Sequence, residues 1–154
     1  MRYYLELSLP FEEVERALLS SPATWIPGLA RDAEGRARVL MAEVGIGPQE
    51  GLFRKQIEIK LGEPMQMATR TILPMSWEAT GPRGLFPSFA SDIEVAALGP
   101  SRTQLSISAR YQPPLGAVGR AIDRALMHRV AEATVKDFLD RMGERMNHDV
   151  PARG

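Results

Sequence analysis

The spacing of apolar residues changes its period three times along the chain. In "RYYLELSL" it alternates, with Tyr3, Leu5, Leu7 and Leu9 on one side and Arg2, Tyr4, Glu6 and Ser8 on the other, which predicts a half-buried strand. Pro10 ends it. "PFEEVERALLSS" then places Phe11, Val14, Leu18 and Leu19 at helical spacing, behind a proline suited to a first turn and with acidic residues suited to a helix N-terminus. "SPATWIPGLA" predicts a second short helix, opened by Pro22 and stopped or bent by Pro27-Gly28.

The middle of the chain predicts strands and turns. "RARVLMAEVGI", "GLFRKQIEIKLG", "MQMATRTILPMSWEA", "SFASDIEVAALG" and "RTQLSISARYQ" are separated by turn signals at Gly47-Pro48, Gly62-Glu63-Pro64, Gly81-Pro82 and Gly99-Pro100. Connections this short imply antiparallel neighbours in a meander. Parity assigns Phe53, Ile57, Ile59, Leu61, Met67, Thr69, Thr71, Leu73, Met75, Trp77, Phe89, Ile93, Val95, Leu105, Ile107 and Tyr111 to a dry face. Arg54, Gln56, Glu58, Lys60, Asp92, Glu94, Gln104, Ser106, Ser108 and Arg110 fall on the wet face. From about Leu115 to Met146 the period is helical again, through Val118, Ile122, Leu126, Val130, Phe138 and Met142, with Glu132/Lys136 and Asp137/Arg141 spaced to pair. The tail "NHDVPARG" is expected to be loose. The prediction is α+β: one domain over residues 1–147, a curved antiparallel sheet of about six or seven strands, two short helices after strand one, a long C-terminal helix across the sheet, and a flexible tail over 148–154.

Composition narrows the function. The 154 residues are 44% hydrophobic and 25% charged, enough for one sizeable core. Nineteen basic and nineteen acidic residues cancel, so no net field favours nucleic acid or an anionic membrane. The chain has no cysteine, which excludes disulfides, thiolate metal ligands and a cysteine nucleophile. No stretch approaches the roughly 20 apolar residues of a membrane span, and the N-terminus lacks a signal-type apolar run, so a cytoplasmic protein without stable membrane insertion is expected.

The order of elements, together with "PFEEVERALLSSPATW", "LPMSWEATGPRGLFPSF" and "YQPPLGAVGRAIDRALMHRVAEATVKDFLDRM", resembles the START-like superfamily, also called SRPBCC. That superfamily includes polyketide cyclases, lipid-transfer domains and the major birch pollen allergen, and the last two segments look like a bacterial subgroup of it. The resemblance implies the helix-grip fold, a curved sheet gripping the C-terminal helix. It also implies a pocket between them that opens near the two short helices and the start of the long helix. The same cavity carries transport, cyclisation, hydrolysis and regulation across the superfamily, so the fold alone does not name a function.

Polar candidates are few. His128 and His148 are twenty residues apart with no ligand-spaced partner, so no metal is expected. Arg124, one turn before His128, disfavours its imidazolium. No serine sits in a G-x-S-x-G turn and no glycine-rich phosphate loop follows a strand, so neither a catalytic residue nor a cofactor is assigned. Lys55 violates the parity of its strand: a bulge or a snorkelling amine would explain it, and so would a polar anchor for a ligand carboxylate or carbonyl. Glu43, if inward, would pair with Lys55. The facing of Arg70 is left open by Pro74. Gly116 and Gly119, behind Pro113-Pro114, thin the first turns of the long helix, either to let a ligand pass beneath or to let the helix approach its neighbours closely. Trp25 and Tyr111 are expected on opposite lips of the pocket. The ligand-binding cavity is thus read as Trp25, Lys55, Met67, Met75, Trp77, Phe89, Ile107, Tyr111, Gly116, Gly119 and Ile122. The function expected is binding of an apolar or amphipathic small molecule without covalent chemistry. A cyclase or aromatase-like enzyme using Lys55, Arg70, Tyr111 or His128 is the alternative, and an interaction module with a collapsed pocket a third reading.

Overall fold

The structure is a computed structural model that describes residues 1–43, 57–79, 88–112 and 124–150. Strand β1 (Arg2–Leu7) leads into helices α1 (Phe11–Leu19) and α2 (Pro22–Glu43). Strands β2 (Ile57–Leu61), β3 (Met65–Met67), β4 (Arg70–Ala79), β5 (Ser88–Gly99) and β6 (Arg102–Gln112) follow, and helix α3 (Arg124–Asp149) comes last. The six strands form one antiparallel sheet in the order β1-β6-β5-β4-β2, with β3 also on β4. Two helices after the first strand and a C-terminal helix across the sheet complete the α+β helix-grip arrangement that the apolar periods predict.

The alternation of β1 closes the sheet's first edge: Tyr3, Leu5 and Leu7 lie opposite Ile107, Leu105 and Thr103 of β6. At the other edge β2 and β3 are two pieces of one bent strand, since β2 pairs with residues 75–79 of β4 and β3 with residues 70–72. The bend falls at Gly62-Glu63-Pro64. Pro74 of β4 has no N–H to give, and its carbonyl accepts from Gly62 N at 2.8 Å. A Cβ at position 62 would meet the Pro74 ring at 3.0 Å, a tight contact that glycine avoids.

Three expectations are corrected. "RARVLMAEVGI" was assigned to a strand, yet residues 36–43 belong to α2, a helix of 22 residues in which Pro27 is internal. Ile26, Ala30 and Ala33 are spaced for one helical face and fully buried, and this packing outweighs the hydrogen bond that Pro27 removes. Glu43 therefore stands on a helix and has no strand register with Lys55, which lies outside the described residues. The continuous strand expected over 65–79 is a β-hairpin turned at Ala68-Thr69, so parity fails across the turn and Met67 is 48% exposed on the short edge piece. Finally, the helical period expected to end at Met146 continues, since α3 runs to Asp149 and Val150 beyond it is buried.

The core lies between the sheet and the helical layer. From β4, β5 and β6 come Leu73, Met75, Trp77, Phe89, Ile93, Val95, Leu105, Ile107 and Ala109. Helix α3 supplies Ala131, Val135, Phe138, Leu139, Met142 and Met146 at spacings of three and four. Helix α1 adds Phe11, Val14 and Leu18. Opposite charges lock the outer surfaces, with Arg70 on Glu94 across β4 and β5 at 2.7 Å, Arg102 on Glu6, and Arg141 on Asp137 at 2.6 Å within α3. Arg70, left open by the sequence, is thereby placed on the wet face, away from the core.

Candidate functional site

The dry face carries one row unlike the others. Ile59, Trp77, Phe89 and Tyr111 are successive Cα partners across β2, β4, β5 and β6, so three aromatic residues stand side by side on three adjacent strands. The Trp77 and Phe89 rings are 5.3 Å apart and tilted, and Phe138 of α3 meets Trp77 edge-on at 5.8 Å. Burial is graded along the row: Trp77 is 2% exposed and Phe89 3%, whereas Tyr111 is only half-buried. The next row inward is slimmer, running through Leu61, Met75, Ser91 and Ala109, and beyond it lie Leu73, Ile93, Ile107 and Tyr3. Ser91 satisfies its buried hydroxyl by donating to the Met75 carbonyl at 3.0 Å.

Among the described residues, one buried side-chain polar atom has no hydrogen-bond partner, the Trp77 Nε1. It sits at the inner end of the three aromatics, next to Ile59 of β2.

The open end of the row meets a polar cluster. The His128 ring lies 5.8 Å from that of Tyr111, and His128 Nε2 is 2.5 Å from Glu132 Oε1, one helical turn on. Glu132 also accepts from the Tyr3 hydroxyl. Burial first, then the Glu132 charge, then this hydrogen bond hold the Tyr3 phenol above its ordinary value of 10. The neutral phenol is the form favoured in the fold, so near pH 10 the folded chain keeps a proton that the unfolded chain releases. Stability is therefore expected to fall as pH rises past that value and on through the folded phenol's own, while Tyr3→Phe removes this part of the alkaline loss. Urea unfolding at neutral pH and above pH about 10 checks it. Equal pH dependence in both proteins would contradict it.

Five of the candidate residues come together: Trp77, Phe89 and Tyr111 form the row, with Met75 and Ile107 in the rows behind. Met67 does not join them, being exposed on the edge piece. Trp25 is elsewhere. Its indole donates to the Ser20 carbonyl at 3.1 Å, and the Arg145 guanidinium lies over its ring at 4.9 Å. Arg145 and His128 are seventeen residues apart on α3, about 25 Å along its axis. The two helices after β1 thus brace the C-terminal half of α3, and Trp25 lines a surface crevice of about 530 Å³ with Glu13, Arg16, Arg145 and Asp149 rather than a lip opposite Tyr111. Lys55, Gly116, Gly119 and Ile122 lie outside the described residues.

Two features went unread in the sequence. Glu132, assigned to a pair with Lys136, instead faces His128, although the H-x-x-x-E spacing was there to find. Gly143 was not singled out. It is buried where α3 crosses β1, and a Cβ there would stand 2.5 Å from Leu5 Cδ1.

No family model matches the sequence, and no curated protein does. Solved structures do resemble it. A conserved protein of Geobacillus kaustophilus superposes with a TM-score of 0.55 at 17% identity, covering 97% of this chain and 95% of its own. The two chains share a fold. A hypothetical protein of Helicobacter pylori gives a TM-score of 0.49 at 11% identity over 92% of this chain and 86% of its own. The Zhui aromatase/cyclase of a Streptomyces species gives 0.32 at 14% identity over 94% and 93%, a likeness too loose to bear on activity. No described helix is long and apolar enough to cross a membrane.

Proposed function

We propose that this protein is a START-like helix-grip protein that binds an apolar or amphipathic small molecule between the sheet and α3, with no covalent chemistry on it. The observation that carries this reading is the graded aromatic row. Trp77, Phe89 and Tyr111 form a continuous apolar strip from deep burial to partial exposure, on the dry face and under the C-terminal helix. Flat aromatic walls with few polar groups suit a small-molecule site. The strip ends at Tyr111 beside the exposed His128 of α3, while Trp25 of α2 sits against Arg145 towards the other end of that helix. The reading places the protein in the cytoplasm.

Native mass spectrometry of the full chain tests it. The expected spectrum shows a non-covalent adduct that denaturation releases. Tyr111→Ala, at a half-buried position, is expected to reduce occupancy about tenfold, the equivalent of about 1.4 kcal/mol, in protein whose fold is checked by circular dichroism. A bare chain that also takes up no added apolar compound would contradict the reading.

One observation favours a cyclase-like enzyme as the second reading. His128, held at one ring nitrogen by Glu132 and with its ring tilted beside that of Tyr111, has the form of an oriented acid or base at the mouth of the row. Turnover of a poly-ketone that His128→Ala abolishes without loss of binding would favour that reading over simple binding.

A further inference from the structure

The Trp77 indole is 2% exposed, yet its N–H has no hydrogen-bond partner among the described residues. Leaving such a donor unpaired in a dry interior costs about 1–3 kcal/mol, and native proteins hold few of them. The cost was avoidable, because phenylalanine would fill a comparable aromatic position without burying a donor. The other indole in the chain shows the ordinary arrangement: Trp25 gives its N–H to the Ser20 carbonyl at 3.1 Å. The polar atoms nearest in the sheet register do not serve Trp77. The hydroxyl oxygen of Ser91, one row inward, could accept but does not bond to Nε1, and the neighbours of Trp77 in its own row are Ile59 and Phe89.

An indole N–H donates and never accepts. On the reading that the aromatic row is a ligand site, we infer that the ligand is a planar, largely apolar molecule bearing a hydrogen-bond acceptor, an aromatic or conjugated ketone by preference. Its carbonyl oxygen is received by Trp77 Nε1. The rings of Phe89 and Phe138, 5.3 and 5.8 Å from that of Trp77 and inclined to it, make the surroundings of this donor aromatic. Tyr111 and the His128–Glu132 pair take whatever reaches the open end of the row. The donor therefore sets selectivity, while the aromatic surfaces supply the bulk of the affinity. A hydrocarbon of the same outline is held by the same surfaces but leaves the N–H unsatisfied, and for that difference a site built around a donor discriminates strongly.

Fluorene and 9-fluorenone make the test, since they share a tricyclic outline and differ at one carbon by a carbonyl. Calorimetric titration of the full chain with each is expected to give about tenfold tighter binding of fluorenone, within the range that one satisfied buried donor supports. Trp77→Phe should lose the preference for the ketone, the ratio of the two affinities falling to about one whatever the change in affinity for fluorene itself. If both compounds bind the unaltered protein equally, the inference falls and the binding function stands. A preference that persists in Trp77→Phe also overturns it, by placing the acceptor elsewhere. If neither compound binds, the reading of the aromatic row as a site for planar apolar guests falls with it. The comparison within the unaltered protein decides the matter even if Trp77→Phe does not fold.

Discussion

Phe138→Ala is expected to lower the free energy of unfolding by about 3–5 kcal/mol. Phe138 is fully buried at the point where α3 bears on the sheet, and it meets Trp77 edge-on with ring centroids 5.8 Å apart. The truncation removes its transfer free energy and the ring contact, and it leaves a void whose walls cannot close. Trp77 is fixed on one side by Phe89 across the ladder, and α3 is fixed on both flanks of position 138 by Val135, Leu139 and Met142, all buried. For a domain stable by about 5–15 kcal/mol the loss is a large share of the total. Denaturant titration measures it directly. A change below about 1 kcal/mol would mean that α3 does not press on the sheet here, and the account of the aromatic row would lose its lid.

Gly143→Leu is expected to cost about 3 kcal/mol, while Gly143→Ala stays within about 1 kcal/mol of the parent. The asymmetry follows from what faces the glycine. A Cβ at this position stands 2.5 Å from Leu5 Cδ1 and 4.0 Å from Leu7 Cδ2, both at the ends of rotatable side chains. One methyl group is absorbed by a rotation of Leu5, and alanine recovers the helix propensity that glycine forgoes. An isobutyl group has no such remedy and must lift α3 from β1. Combining Gly143→Leu with Leu5→Ala should restore part of the loss, because the two residues occupy the same space. Equal costs for alanine and leucine, or no coupling to Leu5, would show that the helix does not approach β1 this closely.

The glycine that thins the long helix was sought in the sequence at its beginning, where Gly116 and Gly119 follow a proline pair. Among the described residues the requirement is met near the other end, at Gly143, and the agent is a β1 leucine rather than a ligand. Nothing local to "DRMGERM" announces this, since the crowding comes from a residue 138 positions away in the chain. Period-two alternation was legible wherever a strand has one dry face: β1, β5 and β6 follow it closely, and the rows of the sheet fall as parity places them. Parity failed at Met67 because a two-residue turn interrupts the segment without a glycine or proline to mark it.

The long α2 was missed for the converse reason. Pro27-Gly28 is a strong stop signal taken locally, and its cost is outweighed only by burial of Ile26, Ala30 and Ala33, whose neighbours are remote in sequence. Trp77, Phe89 and Tyr111 could be named from sequence because aromatic residues on dry strand faces line core and cavity alike. Their alignment as one row could not, since it depends on registers that hydrogen bonding across three strands sets. The orphan indole N–H was equally invisible, being a property of surroundings and not of residue type.

The claim that a small molecule occupies the aromatic row is tested most directly by the indole resonances of the protein. The chain has two tryptophans, so a nitrogen-15 proton correlation spectrum of the full chain contains two indole N–H signals. They serve as a paired probe, for Trp77 lies in the row and touches α3 at Phe138, while Trp25 is tied to Ser20 beside Arg145, about two helical turns further along α3. Titration with 9-fluorenone, or with the molecule released from the purified protein, is expected to move the Trp77 signal progressively to saturation and to leave that of Trp25 in place. A Trp77 signal that no such compound displaces, or a response confined to Trp25, would contradict the account.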